Sequence, residues 1–245
     1  MKNKLSLYFN CKLTNKRLLP NSLTSEYFYP VIYPRNPLVN NVTQYEVLIE
    51  TIKSYSAFDF KYAIFNIEID GIDDSQKTEI SKTISGIFKC DNFKINFARP
   101  SNLASWRSDI RSATDLIGPN SPVLVAMNHD HPYIDYAPSV FVRVIDQIFS
   151  GDNFCKAFYY SHAPEVISLA MNGLKSGTFN VSKTGICESI LINNWLDSYC
   201  VMTLDTLDHI FSKLKYSGDY IGRIDWPGAS YDNLKLRTYV FPREF

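Results

Sequence analysis

Residues 123–135 read VLVAMNHDHPYID. The apolar run Val123, Leu124, Val125, Ala126 and Met127 leads directly into Asn128, His129, Asp130 and His131, and Pro132 stops the strand. A buried strand that ends in imidazole and carboxylate groups is how α/β proteins present chemistry at the carboxyl edge of a sheet. Two of the four histidines flank Asp130. Such a packet can hold a divalent cation, because imidazole and carboxylate both ligate Mn²⁺- or Zn²⁺-like ions. Asp130 is the first choice of ligand, followed by His131 and His129, with Asp135 behind them. The plainer alternative is a polar turn in which both imidazoles hydrogen-bond the backbone. Three further groups have suitable chemistry. Glu68 and Asp70 close an apolar segment. Arg99 precedes a helix on which Arg107 and Arg111, four apart, share a face that can meet phosphates. His162 and Glu165 follow the segment FCKAFYYS, and Asp225 stands beside Trp226 in RIDWPG. The plain readings of these are, in order, an exposed turn, a solvated helix face, a capped turn for His162 and Glu165, and a structural turn for Asp225. His209 lies inside an amphipathic helix and reads as structural.

The elements that must position these residues alternate. Leu5–Asn10 reads as a strand, and the Pro- and Asn-rich stretch Leu19–Asn40 as a long loop. Thr43–Tyr55 reads as a helix, with Thr43 and Glu46 as a capping box. Lys61–Ile69 follows as a strand, Ser75–Phe88 as a helix and Lys94–Ala98 as a strand. Ser101 caps a helix through Ile117 that Gly118-Pro119 ends, and Val123–Met127 is the fourth strand. This order predicts an α/β fold with a mostly parallel sheet and right-handed crossovers. In the second half Ser139–Phe149 reads as a helix, Phe154–Ser161 as a strand and Val201–Leu214 as a helix capped by Thr203. Lys235–Phe241 reads as a strand, while Thr178–Asn180 and Ser189–Asn193 are short and ambiguous. The stop at Pro242–Phe245 is abrupt for a domain end and suggests a piece of a longer protein.

The chain has 245 residues, 45% hydrophobic and 20% charged, which is enough for one large α/β domain with a substantial core. Its formal net charge is zero, so no global field favours nucleic acid or an anionic membrane as a partner. The five cysteines, Cys11, Cys90, Cys155, Cys187 and Cys200, form no C-x-x-C pair, and read as reduced thiols of a cytoplasmic protein. No segment approaches the roughly 18 apolar residues of a membrane span, which leaves only peripheral membrane association.

The order of elements up to Asp130, over residues 5–135, resembles the nucleotide-binding half of a GT-A glycosyltransferase. There a Rossmann-like sheet ends one strand in D-x-D, and the aspartates hold a divalent metal that holds the sugar-nucleotide diphosphate. Here that position reads Asn128-His129-Asp130 or His129-Asp130-His131. The resemblance implies a single GT-A-like domain with a mixed sheet, residues 1–135 binding nucleotide and 136–245 binding acceptor. It implies sugar transfer from a nucleotide-sugar donor to a glycan or lipid-linked glycan, in bacterial capsule or lipopolysaccharide assembly at the inner face of the cytoplasmic membrane. Mn²⁺ or Mg²⁺ would be held by Asp130, His131 and His129, with Mn²⁺ favoured by the imidazoles. Glu68, Asp70, Arg99, Arg107 and Asn128 would contact the nucleotide. Asp225, Glu165 or His162 would take the proton of the acceptor hydroxyl.

Two other functions fit the same residues. Asn128-His-Asp also resembles the G-N-H-D block of metallophosphoesterases, without the glycine, the upstream D-x-H or the downstream G-H-x-H. A phosphoesterase would hold two metals about 3.5–4 Å apart. A non-catalytic α/β domain of a larger assembly enzyme would bind neither metal nor nucleotide. No P-loop, G-x-G-x-x-G, G-x-S-x-G or H-E-x-x-H occurs.

Overall fold

The computed structural model describes residues 5–13, 44–69, 72–90, 92–98, 103–126, 138–149, 156–161, 179–181, 187–189, 200–213 and 237–242. Its first half is built as the alternation predicts. Strand β1 (Ser6–Leu13), helix α1 (Gln44–Tyr55), strand β2 (Ala63–Ile69), helix α2 (Asp74–Ile87), strand β3 (Phe93–Asn96), helix α3 (Leu103–Ile117) and strand β4 (Pro122–Ala126) follow in order. The second half contains α4 (Pro138–Phe149), β5 (Lys156–Ser161), β6 (Phe179–Val181), β7 (Cys187–Ser189), β8 (Cys200–Thr203), α5 (Leu204–Lys213) and β9 (Arg237–Pro242).

The nine strands among the described residues join one sheet in the order β3-β2-β1-β4-β8-β5-β9-β7-β6. β3, β2, β1 and β4 are mutually parallel, and β8 runs antiparallel against β4. This is an α/β fold with a mixed sheet, parallel through its first four strands. The order 3-2-1-4 puts the topological switch point between β1 and β4, where successive connections leave toward opposite sides.

Strand alternation sorts the side chains onto two faces. Leu7, Phe9, Cys11 and Leu13 of β1, Phe65 and Ile67 of β2, and Leu124 and Ala126 of β4 join Leu48 and Ile52 of α1, Ile80 and Ile84 of α2, and Phe141 and Ile145 of α4 in one apolar cluster. Aromatic rings thread it: Phe65 lies 5.6 Å from Phe9, 5.3 Å from Phe88 and 5.6 Å from Phe93, centroid to centroid. The opposite face carries Ser6, Tyr8 and Asn10 of β1 and Asn66 of β2 under α3, all fully buried. Burial on both faces explains why β4 reads as an unbroken apolar run.

Local signals fix the helix ends. Asp73 caps α2 in a reciprocal box: the Gln76 backbone N–H donates to Asp73 Oδ1 at 2.8 Å, and the Asp73 N–H donates to Gln76 Oε1 at 3.0 Å. Gly118 ends α3 with φ +98°, a backbone conformation glycine adopts without strain. Thr203 caps α5, its Oγ1 accepting from the Thr206 N–H at 3.1 Å. The start of α5 differs from its sequence reading. Val201–Thr203, expected as the first turn of a helix, belong to β8, and the helix begins at Leu204. A segment this short fits either period, and pairing with β4 decides it. Thr43, the expected cap of α1, lies outside the described residues, as does the expected loop 19–40.

Candidate functional site

β1 and β4 are neighbours at the switch point: β4 ends at Ala126 in register with Phe9, and β1 runs on to Leu13. Open α/β sheets bind ligands in the crevice outside the carboxyl ends of the strands at such a point. After β4, Met127 is followed in sequence by Asn128, His129, Asp130 and His131. Those four residues lie outside the described residues, as do Asp70, Arg99, Asp135, His162, Glu165, Asp225 and Trp226. Among the described residues no group of three or more His, Cys, Asp or Glu comes together to hold a metal ion. Neither Cys11 nor Cys90 is in a disulfide; Cys11 is buried and Cys90 half-buried.

Glu68, Arg107, Arg111 and His209, all singled out in the sequence, are among the described residues. Glu68 is half-buried, the penultimate residue of β2, in register with Lys12 of β1. It therefore stands on the carboxyl side of the sheet, on the same face as Asn66. Arg107 projects from α3 onto α5. Its Nε donates to Asp208 Oδ1 at 2.8 Å and its Nη2 to Asp208 Oδ2 at 3.0 Å, while Arg111 Nη2 lies 3.9 Å from the same carboxylate. The fork-on-fork geometry is the strong form of a guanidinium–carboxylate pair. Its hydrogen bonds to Arg107 hold Asp208 below the usual carboxylate range, with the charges of Arg107, Arg111 and His209 adding to the effect. Trp106, beside Arg107 in sequence, is fully buried. The Arg107–Arg111 face is therefore the seam between α3 and α5.

The structure also assembles a polar cluster with no counterpart in the sequence reading. Asn10, Asn66 and Asn96 occupy one level of β1, β2 and β3, since Asn10 pairs with Asn66 and Asn66 with Asn96 in register. Asn96 Nδ2 donates to Asn66 Oδ1 at 2.7 Å, and Asn66 Nδ2 donates to Asn10 Oδ1 at 3.0 Å. Asn66 Nδ2 also lies 3.0 Å from Asp109 Oδ2 on α3, the oxygen to which the Tyr8 hydroxyl donates. Burial pushes the Tyr8 phenol well above its ordinary value, and the neighbouring Asp109 charge adds to this. Burial also pushes Asp109 up, against the opposing pull of the Tyr8 hydroxyl, the Lys94 charge and the Asn66 amide. The available signal was an asparagine at an inward position in each of three strands; the shared level depends on register, which no single segment encodes.

Among the described residues no helix is long and apolar enough to cross a membrane. No protein-family model matches the chain, and no curated protein is similar to it. The parallel β3-β2-β1-β4 core with helices on both faces makes this a Rossmann-like α/β fold.

Proposed function

We propose that the chain transfers a sugar from a nucleotide-sugar donor to a glycan or lipid-linked glycan acceptor, binding the nucleotide at the carboxyl edge between β1 and β4. The observation that carries this reading is the strand order. β4 points into the crevice of a 3-2-1-4 switch point, and the sequence that leaves it is Asn128-His129-Asp130-His131.

In this reading residues 1–135 supply the nucleotide half and 136–245 the acceptor half. Asp130, His131 and His129 would hold Mn²⁺ or Mg²⁺, a mixed nitrogen and oxygen donor set that suits Mn²⁺. When bound, that ion offsets charge developing on the diphosphate leaving group. Glu68 and Asp70 accept from ribose or base donors, as acidic residues do in dinucleotide sites. Arg99 is preferred to Arg107 for the phosphates, because Arg107 Nε and Nη2 are engaged by Asp208. A base drawn from Asp225, Glu165 and His162 takes the proton of the acceptor hydroxyl.

The test is release of nucleotide from UDP-, GDP-, CMP- and dTDP-sugars, with and without Mn²⁺, by wild type and Asp130→Ala. The expected result is turnover of one donor class that needs Mn²⁺ and is lost in the variant. Hydrolysis of simple phosphate esters with no sugar-nucleotide turnover would replace this reading with a phosphoesterase. No turnover of either kind would leave a non-catalytic domain.

A further inference from the structure

The cluster beneath α3 is not used by the proposed transfer. Asp109 is half-buried between helix and sheet. The two groups that donate to its Oδ2, the Tyr8 phenol and the Asn66 amide, are both neutral. Tyr8 and Asn66 are themselves fully buried, and Asn66 is locked from behind by Asn96 and Asn10. Other ionisable groups surround the carboxyl at a distance. Lys94 of edge strand β3 is exposed and contributes the nearby positive charge. Glu68 stands two residues beyond Asn66 on the same face of β2, in register with Lys12. Toward α5, Arg107 and Arg111 are oriented on Asp208, with His209 next to it.

Both accepted hydrogen bonds fall on Oδ2, so a proton on Oδ1 leaves them in place. Protonation removes the buried charge without dismantling the contact. We propose that Asp109 is a proton-operated latch: α3 docks most firmly on the sheet when this carboxyl carries a proton, and docking weakens as it ionises. α3 joins β3 to β4, so the latch acts on the helix that precedes the switch-point strand.

The sign follows from burial, which places the folded-state titration of Asp109 above the unfolded one. Stability from this group is fully present below the unfolded value and is lost as pH rises through the folded value. The test is urea unfolding of the full chain, wild type against Asp109→Asn, from pH 4 to 8. Asparagine imitates the protonated acid and does not titrate, so other groups cancel in the difference. The stability of wild type relative to the variant is expected to fall as pH rises; a flat or rising difference overturns the latch. A carboxyl ¹³C titration of wild type reads the same group without any variant. Its midpoint is expected above the ordinary aspartate range, and higher still in Tyr8→Phe, which loses a donor to the ionised form. A wild-type midpoint within or below that range, or a downward move in Tyr8→Phe, overturns the proposal.

Discussion

The two faces of the same strands are built on different terms. One face of β1 and β2 presents Leu7, Phe9, Cys11, Leu13, Phe65 and Ile67 to α1, α2 and α4. The other presents Ser6, Tyr8, Asn10 and Asn66 to α3, equally removed from water. The apolar face gains stability from area and ring packing, which tolerate small shifts in position. The polar face gains little net energy per hydrogen bond but loses much for each bond left unmade. It therefore fixes register and helix position more sharply than it adds stability. The comparison also holds for charge. Asp109 belongs to α3 and Asp208 meets α3 from α5, yet burial raises the first and a guanidinium fork lowers the second.

The largest effect should come from the apolar face. Phe65→Ala removes the ring that meets Phe9, Phe88 and Phe93, and should cost about 3–5 kcal/mol in urea unfolding. A loss below about 1 kcal/mol would mean that this cluster is not the main support. Asn66→Ala comes next, at about 1–3 kcal/mol, because it leaves Asn10 and Asn96 each short of a partner in the interior. Its effect should be non-additive with Asp109→Asn, since the two side chains share a bond. Asp73→Ala should cost about 1 kcal/mol by removing the box that starts α2, and should leave the titration of Asp109 unchanged.

Arg107→Ala should be the smallest, below about 1 kcal/mol, because its pair with Asp208 leaves the side chains 30% and 25% exposed. Its pH dependence should be opposite to that of Asp109. Asp208 is lowered in the folded state, so the stability from the pair is present above the unfolded value and is lost as pH falls through the folded one. The gap between wild type and Arg107→Ala should close on acidification, while the gap between wild type and Asp109→Asn should widen in favour of wild type. Unfolding curves at matched pH values check both slopes.

Much of the fold was legible because its signals are local. Buried alternation marked β2, helical spacing marked α1, and Gly118 marked the end of α3. The capping box at Asp73 was legible in principle, since Asp73-Asp74-Ser75-Gln76 has the required spacing, although the helix had been expected to start at Ser75. β1 extends past Asn10 through Leu13 because Cys11 and Leu13 continue the inward alternation. What could not be read was non-local. Val201–Thr203 become a strand through pairing with β4. The asparagine row exists only once three strands are in register. Arg107, expected on a phosphate-facing or solvated surface, finds Asp208 a hundred residues further along the chain. The proposed metal ligands were singled out by residue type and by the strand that precedes them. The observed strand order now puts the end of that strand at the switch point.

Binding at that edge is most directly measured by calorimetric titration of UDP, GDP, CMP and dTDP into the protein, with and without Mn²⁺, for wild type and Asp130→Ala. The account predicts saturable, Mn²⁺-dependent binding of one nucleotide, abolished in Asp130→Ala and retained in Arg107→Ala. Absence of binding by every nucleotide in the presence of Mn²⁺, or undiminished binding by Asp130→Ala, would contradict it.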